Sequence, residues 1–280
     1  MKKRNPIIKV KEEIPLDIPD GSILDIATRD VNPFTHGFHK YPAKFIPQIP
    51  RWAINKFLKT DSKSTIIDPF CGSGTTLVEG LLNNKNVIGL DIDPLSVLIS
   101  KVKITPLDID LLMSVTEWLL KTINKPKVKP FFPACSNLSH WFTNDAINKL
   151  SIIRGAINNV TVVFGSSLKT QNVQDFLIIC FSSIIRKVSF ADNESQKTYV
   201  SHTKIKIPQE TNTLFFRQLE YFITRIKHFS LYTDHGLNNI VKCASSINSF
   251  SKILSNRKID LVVTSPPYIK AIDYIYNQMV

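Results

Sequence analysis

Two short stretches of the chain combine residue types able to hold a ligand. Asp68-Pro69-Phe70-Cys71-Gly72-Ser73-Gly74-Thr75-Thr76 lies directly after an apolar run and directly before a helical pattern. Gly72 and Gly74 permit a tight backbone through which amide groups approach a ligand where a β-carbon would collide. An ordinary strand-to-helix turn can also carry Gly-X-Gly, so the second stretch matters. Asp91 closes the next apolar run, Asn86-Val-Ile-Gly-Leu-Asp91, about 20 residues after the glycines, where a carboxylate would accept both hydroxyls of a ribose. Asp93 either shares that task or caps the following helix. The pattern predicts an adenosine-containing cofactor. The chain has neither a Walker Gly-Lys-Ser/Thr nor the full Gly-X-Gly-X-X-Gly spacing, which argues against a nucleoside triphosphatase or a dehydrogenase.

A third stretch, Thr264-Ser265-Pro266-Pro267-Tyr268, ends the apolar run Ile259-Asp-Leu-Val-Val263. Paired prolines make a stiff loop whose carbonyls and Ser265 hydroxyl can face an incoming amino group, with the Tyr268 ring as a stacking face. That suits a nucleobase swung out of its helix. In isolation Pro-Pro-Tyr also reads as a surface turn or a polyproline ligand. Cysteine chemistry is not indicated. Cys71, Cys135, Cys180 and Cys243 are scattered without metal-ligand spacing, and the Pro-Cys dipeptide needed for thiolate attack on a ring carbon is absent.

Positioning these loops requires strands. Thr65–Phe70, Thr76–Asn84 and Asn86–Ile92 read as strand, helix and strand, a βαβ unit of a doubly wound parallel sheet. From about residue 105 to 235 the alternation gives way to four long helical patterns, beginning at Asp110, Asn144, Val173 and Leu214. The strand patterns of Asn239–Ala244 and Ile259–Val263 then resume, which predicts a helical insertion between the second and third strands. The expected domains are an N-terminal arm (1–33), a cofactor-binding part (34–104), the insertion (105–235) and a catalytic-loop part (236–280). Pro6, Pro15, Pro19 and Pro33 predict that the arm carries no regular element.

Together, DPFCGSGTT, GLDID and TSPPY resemble the amino-methylating DNA methyltransferases of bacterial restriction-modification systems. His36-Gly-Phe-His-Lys-Tyr-Pro-Ala-Lys44-Phe45-Ile-Pro47 is similar to the segment such enzymes set beside the methionine end of their cofactor. The resemblance implies a Rossmann-like, S-adenosylmethionine-dependent methyltransferase sheet. It implies cofactor contacts from Lys44, Phe45, Asp68, Pro69, Phe70, Cys71, Gly72, Gly74, Thr75, Thr76, Asp91 and Asp93. It implies a target base held by Ser265, Pro266, Pro267 and Tyr268 in double-stranded DNA. Ser before Pro-Pro-Tyr more often accompanies cytosine N4 methylation, and Asp adenine N6. Adenine N6, an RNA base and an inactive or split subunit stay open as alternatives.

Two departures accompany the resemblance. An acid that the family places near Cys243 or Ala244 is missing. The chain stops at Val280, where a doubly wound sheet would continue for about three strands, which raises the expectation of a truncated gene or of a second polypeptide completing the fold. A net charge of +12 and a pI of about 9.5 favour a polyanionic partner. Arg186, Lys187, Lys197, Lys204, Lys206, Arg217, Arg225 and Lys227 are candidates for a phosphate track, with scattered surface charge the alternative. Phe215, Phe216, Tyr221, Phe222 and Phe229 have the helical spacing of a core. The scattered cysteines and the lack of any apolar run of about 18 residues lead to the expectation of a cytoplasmic chain with no membrane partner.

Overall fold

The computed structural model describes residues 6–26, 33–42, 44–60, 63–135, 137–193, 198–203, 205–233, 236–246, 253–254 and 257–267. The chain divides into two compact units. One comprises residues 1–37, 44–104 and 232–267, and the other 38–43, 105–231 and 268–280.

The first unit is built on a four-stranded parallel sheet of β3 (Thr65–Asp68), β4 (Asn86–Asp91), β5 (Asn239–Cys243) and β6 (Leu261–Val262), in the order β5-β4-β3-β6. Side chains alternate across it as strand geometry requires. Ile66 faces Ala53 and Ile54 of α1 (Gln48–Phe57), while Ile67 joins Ile88 and Leu90 on the opposite face beneath Ile253, Leu254 and Ile259. Helix α2 (Thr75–Leu82) makes the β3-to-β4 crossover, and α3 (Pro94–Ile104) packs against β4 and β5. Gly89 lies in the middle of β4 because a β-carbon there would sit 2.5 Å from Leu77 and 3.2 Å from the Cys71 sulfur. Only glycine lets α2 and its leading turn approach the strand so closely.

The chain runs outward from β3 through β4 to β5, then returns to the other side of β3 as β6. This reversal creates a topological switch point between β3 and β6, where open α/β sheets bind ligands beyond the carboxyl ends of their strands. The arm corrects one expectation. Between its prolines, β1 (Ile7–Val10) and β2 (Ile23–Ile26) pair in parallel. Pro6 ends just before β1, and neither strand has to include a proline.

The second unit is helical, with α4 (Ile109–Asn124), α5 (Leu138–Trp141), α6 (Asn144–Asn158), α7 (Val160–Phe164), α8 (Leu168–Val188) and α9 (Thr211–Leu231) among the described residues. Side-chain caps define three starts: Asp108 accepts from the Leu111 amide, Thr143 from Ala146 and Ser167 from Thr170. Along α9, Phe215, Leu219, Phe222, Ile226 and Phe229 recur at helical spacing and are buried. Phe38 stacks on Phe222 at 4.1 Å and meets Phe176 edge-on at 5.8 Å. Of the aromatic series, Phe215, Phe222 and Phe229 are therefore core, while Phe216 and Tyr221 are half-buried. No helix among the described residues is long and apolar enough to cross a membrane.

Candidate functional site

The Gly-Ser-Gly turn is built from contacts that span three elements. Cys71 N–H donates to the Leu90 carbonyl at 2.9 Å, and Gly74 N–H to the Cys71 carbonyl at 2.7 Å. Gly74 has a left-handed φ of 75°, and a β-carbon on it would lie 2.8 Å from Ser100 Oγ. Ser100 Oγ donates to the Gly72 carbonyl at 2.7 Å, and Lys103 Nζ donates to the Ser73 carbonyl at 2.7 Å. Two side chains of α3 thus hold the turn from beneath. Lys103 is fully buried, and burial drives its pKa well below that of a free lysine.

Asp91, at the carboxyl end of β4, accepts from Gly72 N–H at 2.8 Å through Oδ2 and from Asp93 N–H at 2.9 Å through Oδ1. A carboxylate retains further lone pairs after two such bonds. Asp93 caps α3: it accepts from the amides of Leu95 at 3.2 Å and Ser96 at 2.9 Å, and from Ser96 Oγ at 2.5 Å, with Pro94 at the first helical position. Of its two sequence readings, the helix cap is the one that these bonds express.

The proline loop meets the glycine turn at the switch point. Thr264 Oγ1 donates to Asp68 Oδ1 at 2.7 Å, and Phe70 N–H donates to the same oxygen at 3.1 Å. Asp68 is 3% exposed. Burial raises its pKa to about 6, against the opposing pull of the hydrogen bond from Thr264. Ser265 is half-buried directly after Thr264, and Pro266 and Pro267 are exposed, whereas Tyr268 lies outside the described residues. Cys71 is buried 3.7 Å from Ser100 Oγ, and burial pushes its thiol far up, away from thiolate chemistry. Pro69 is half-buried, while Phe70 (38% exposed) and Ile92 (75% exposed) leave apolar side chains open at the carboxyl ends of β3 and β4. Thr75 and Thr76 are buried where α2 begins, and Thr75 Oγ1 has no hydrogen-bond partner among the described residues.

Lys44 and Phe45 belong to a segment fastened to α2. Lys44 Nζ donates to the His36 carbonyl at 3.0 Å, and Phe45 packs on the Ile54–Ile66 cluster. His36 Nε2 lies 2.8 Å from Glu79 Oε1, and Arg51 donates through Nε to Glu79 Oε2 at 2.7 Å and through Nη2 to Oε1 at 3.0 Å. Burial lowers the His36 pKa, with Glu79 opposing, so the neutral imidazole donates from Nε2 to the carboxylate. For Glu79 burial works against ionisation, but the hydrogen bonds from His36 and Arg51 outweigh it and its pKa falls. Glu79, Arg51, Ser100, Lys103 and Ile92 were not candidates on sequence. Only Glu79 carries a faint signal there, as an acid inside the apolar run Thr75–Leu82.

A parallel sheet with this order, a glycine turn after its first strand and an acid ending its second has a Rossmann-like architecture. Residues 21–101 match the N6_N4_Mtase family, described as DNA methylase. The Type II methyltransferase M.MvaI of Kocuria varians is 31% identical over 275 residues, covering 89% of this chain and 56% of that protein. M.MjaII of Methanocaldococcus jannaschii, also a Type II methyltransferase, is 42% identical over 92 residues, 33% of this chain and 16% of its own length. M.BsoBI of Geobacillus stearothermophilus, another of the type, is 24% identical over 275 residues, 87% of this chain and 51% of its own. The chain is thus similar to a DNA methylase family over residues 21–101 and to Type II methyltransferases over most of its length, and it spans about half the length of M.MvaI and M.BsoBI.

Proposed function

We propose that the chain carries the cofactor site and the base-holding loop of a DNA methyltransferase acting on an exocyclic amino group, cytosine N4 in the first instance. The observation that carries this reading is the hydrogen bond from Thr264 to Asp68, which joins the Ser265-Pro266-Pro267 loop to the glycine turn at the switch point. The donor set fits S-adenosylmethionine. Asp91 has lone pairs left for a ribose diol, Phe70 and Ile92 offer apolar faces to a purine, and Thr75 Oγ1 is an unused buried polar atom beside the turn. Lys44 would meet the cofactor's carboxylate. When bound, this cofactor supplies an electrophilic methyl group.

The protein's task is then to position and polarise. An exocyclic amine is a weak nucleophile because its lone pair is delocalised into the ring. Hydrogen bonds from its N–H groups to Ser265 Oγ and the Pro266 carbonyl would localise that pair and aim it. Tyr268 would stack on the extruded base, helping to offset an extrusion cost of a few kcal/mol. Cytosine N4 is preferred over adenine N6 because serine, not aspartate, precedes Pro-Pro-Tyr. Further strands from a second polypeptide segment would pair with the outer edge of β6, which has no partner among the described residues.

The test is transfer of labelled methyl from S-adenosylmethionine to unmethylated duplex DNA, beside Ser265→Ala and Asp91→Ala. The expected result is label on DNA that both variants lose, with loss of cofactor binding in Asp91→Ala only. Hydrolysis of the labelled DNA then separates N4-methylcytosine from N6-methyladenine. Cofactor binding that Asp91→Ala leaves intact would overturn the site assignment.

A further inference from the structure

In the helical unit, cations from four separate stretches converge around the C-terminal end of α8. Lys40 Nζ donates to the Asn193 carbonyl at 2.8 Å, and Lys206 Nζ to Asn193 Oδ1 at 3.0 Å and the Ala191 carbonyl at 2.8 Å. Lys206 also donates to the Arg186 carbonyl at 2.5 Å, so its ammonium closes the end of α8. Arg217, in the second turn of α9, donates to Gln209 Oε1 at 3.0 Å, and the Gln209 amide returns to the Lys187 carbonyl at 3.3 Å.

The hydrogen bonds given above for Lys40, Lys206 and Arg217 end on neutral oxygens, which fix these side chains without neutralising them. Among the described residues Asp192 is the acid that acts on Lys206, whereas Glu210 is engaged by Lys149 at 2.7 Å. The cations are close enough to repel one another. Burial and the charges of Arg217 and Lys40 lower the pKa of Lys187, and burial and Arg186 lower that of Lys206 to about 8. Lys40, Lys187 and Arg217 remain exposed. Mutually repelling cations of which Lys40, Lys187 and Arg217 are open to solvent are complementary to a polyanion of regular charge spacing.

We infer that Lys40, Lys187 and Arg217, backed by Arg186 and Lys206, form a docking surface for the phosphodiester backbone of duplex DNA. The inference rests on the DNA reading above and adds to it a place on the helical unit. It also selects among the eight sequence candidates: Arg225 is instead held over its own helix, 5.4 Å from the Tyr221 ring. Contacts of this kind set register on the duplex and carry no base preference.

The test is anisotropy of a labelled duplex titrated with the chain over a salt series. It compares wild type, the double variant Lys187→Gln/Arg217→Gln, the charge-keeping Lys187→Arg/Arg217→Lys and the remote Lys121→Gln, whose cation pairs with Glu117 on α4. The double variant should bind more weakly at every salt concentration, and its log–log salt slope should shrink by about 2, one per lost phosphate contact. The other two variants should match wild type, and S-adenosylmethionine binding by calorimetry should be equal in all four. Equal slopes in every variant on a duplex that wild type binds would overturn the surface and leave the DNA reading intact. A wild-type chain that binds S-adenosylmethionine but no duplex would overturn both.

Discussion

In the helical unit the fully buried large side chains include Phe38, Phe176, Phe215, Phe222 and Phe229, whereas the sheet unit buries His36, Asp68, Glu79, Lys85 and Lys103 alongside its aliphatic residues. Rings ask only for volume, and helical spacing on α9 delivers it. Buried ionisable groups cost stability unless each finds its partner, so a fold dispenses with them where it can. In the sheet unit three of them touch the turn or its helix: Asp68 begins the turn, Lys103 holds it through Ser73, and Glu79 sits on the helix leaving it. Burial of charge is concentrated at the proposed cofactor site, and burial of rings in the helical unit.

The widest separation between the two regions should come from Phe222→Ala. It removes a ring stacked on Phe38 and edge-on to Phe176, and should cost about 3–5 kcal/mol in urea unfolding. Under native conditions its affinity for S-adenosylmethionine should equal that of wild type. A large loss of affinity in the folded variant would mean that scaffold and site are not separable. Glu79→Ala should behave in the opposite way. It leaves His36 without its acceptor and Arg51 with Glu13 alone, for a cost of about 3 kcal/mol, the low end for a broken buried pair because Arg51 is 24% exposed. It should also weaken cofactor binding, because the Lys44 segment loses its anchor on α2. Unchanged affinity in a calorimetric titration would reduce Glu79 to scaffold.

A smaller effect tests the burial of Asp68. Its folded pKa of about 6 lies above the ordinary 3.8, so the folded state holds a proton that the unfolded state has released between those values. The contribution of Asp68 to stability is therefore fully present below about pH 4 and falls as pH rises toward 6, by up to about 3 kcal/mol for a shift of about two units. Asp68→Asn should flatten that portion of the stability profile. An unaltered profile would mean that Asp68 is more hydrated than its 3% exposure implies.

These side chains also show where the sequence is readable. The glycine turn, the two acids at the carboxyl end of β4 and the proline loop are local patterns on strands of ordinary periodicity, and they are legible residue by residue. The His36–Glu79–Arg51 cluster is not, because its partners are 43 and 28 residues apart and nothing local to each segment pairs them. Lys103 reads as the solvated end of a helix until the fold closes Ser73 over it. The arm strands were hidden by the prolines around them, which bound the strands instead of breaking them. Phe38 and Lys40 sit in the cofactor-side motif but pack with the helical unit, a partition that only long-range contacts create.

The smallest effect is the sharpest within the site itself. Asp91 and Asp93 are two residues apart, and both were candidates for the cofactor, yet their hydrogen bonds differ. Asp91 accepts from the turn and from Asp93 N–H, joining the two loops of the site, while Asp93 spends its oxygens on the first turn of α3. Asparagine caps a helix about as well as aspartate. Asp93→Asn should therefore change the unfolding free energy by no more than a few tenths of a kcal/mol and leave cofactor affinity unchanged. Asp91→Asn keeps one acceptor oxygen but replaces the other with a donor facing the Gly72 or Asp93 amide, so it should lower affinity clearly more than its neighbour does. Equal affinity losses in the two variants would return Asp93 to the cofactor's contacts. A loss confined to Asp91→Asn assigns the diol to the residue that ends the strand and leaves Asp93 to the helix.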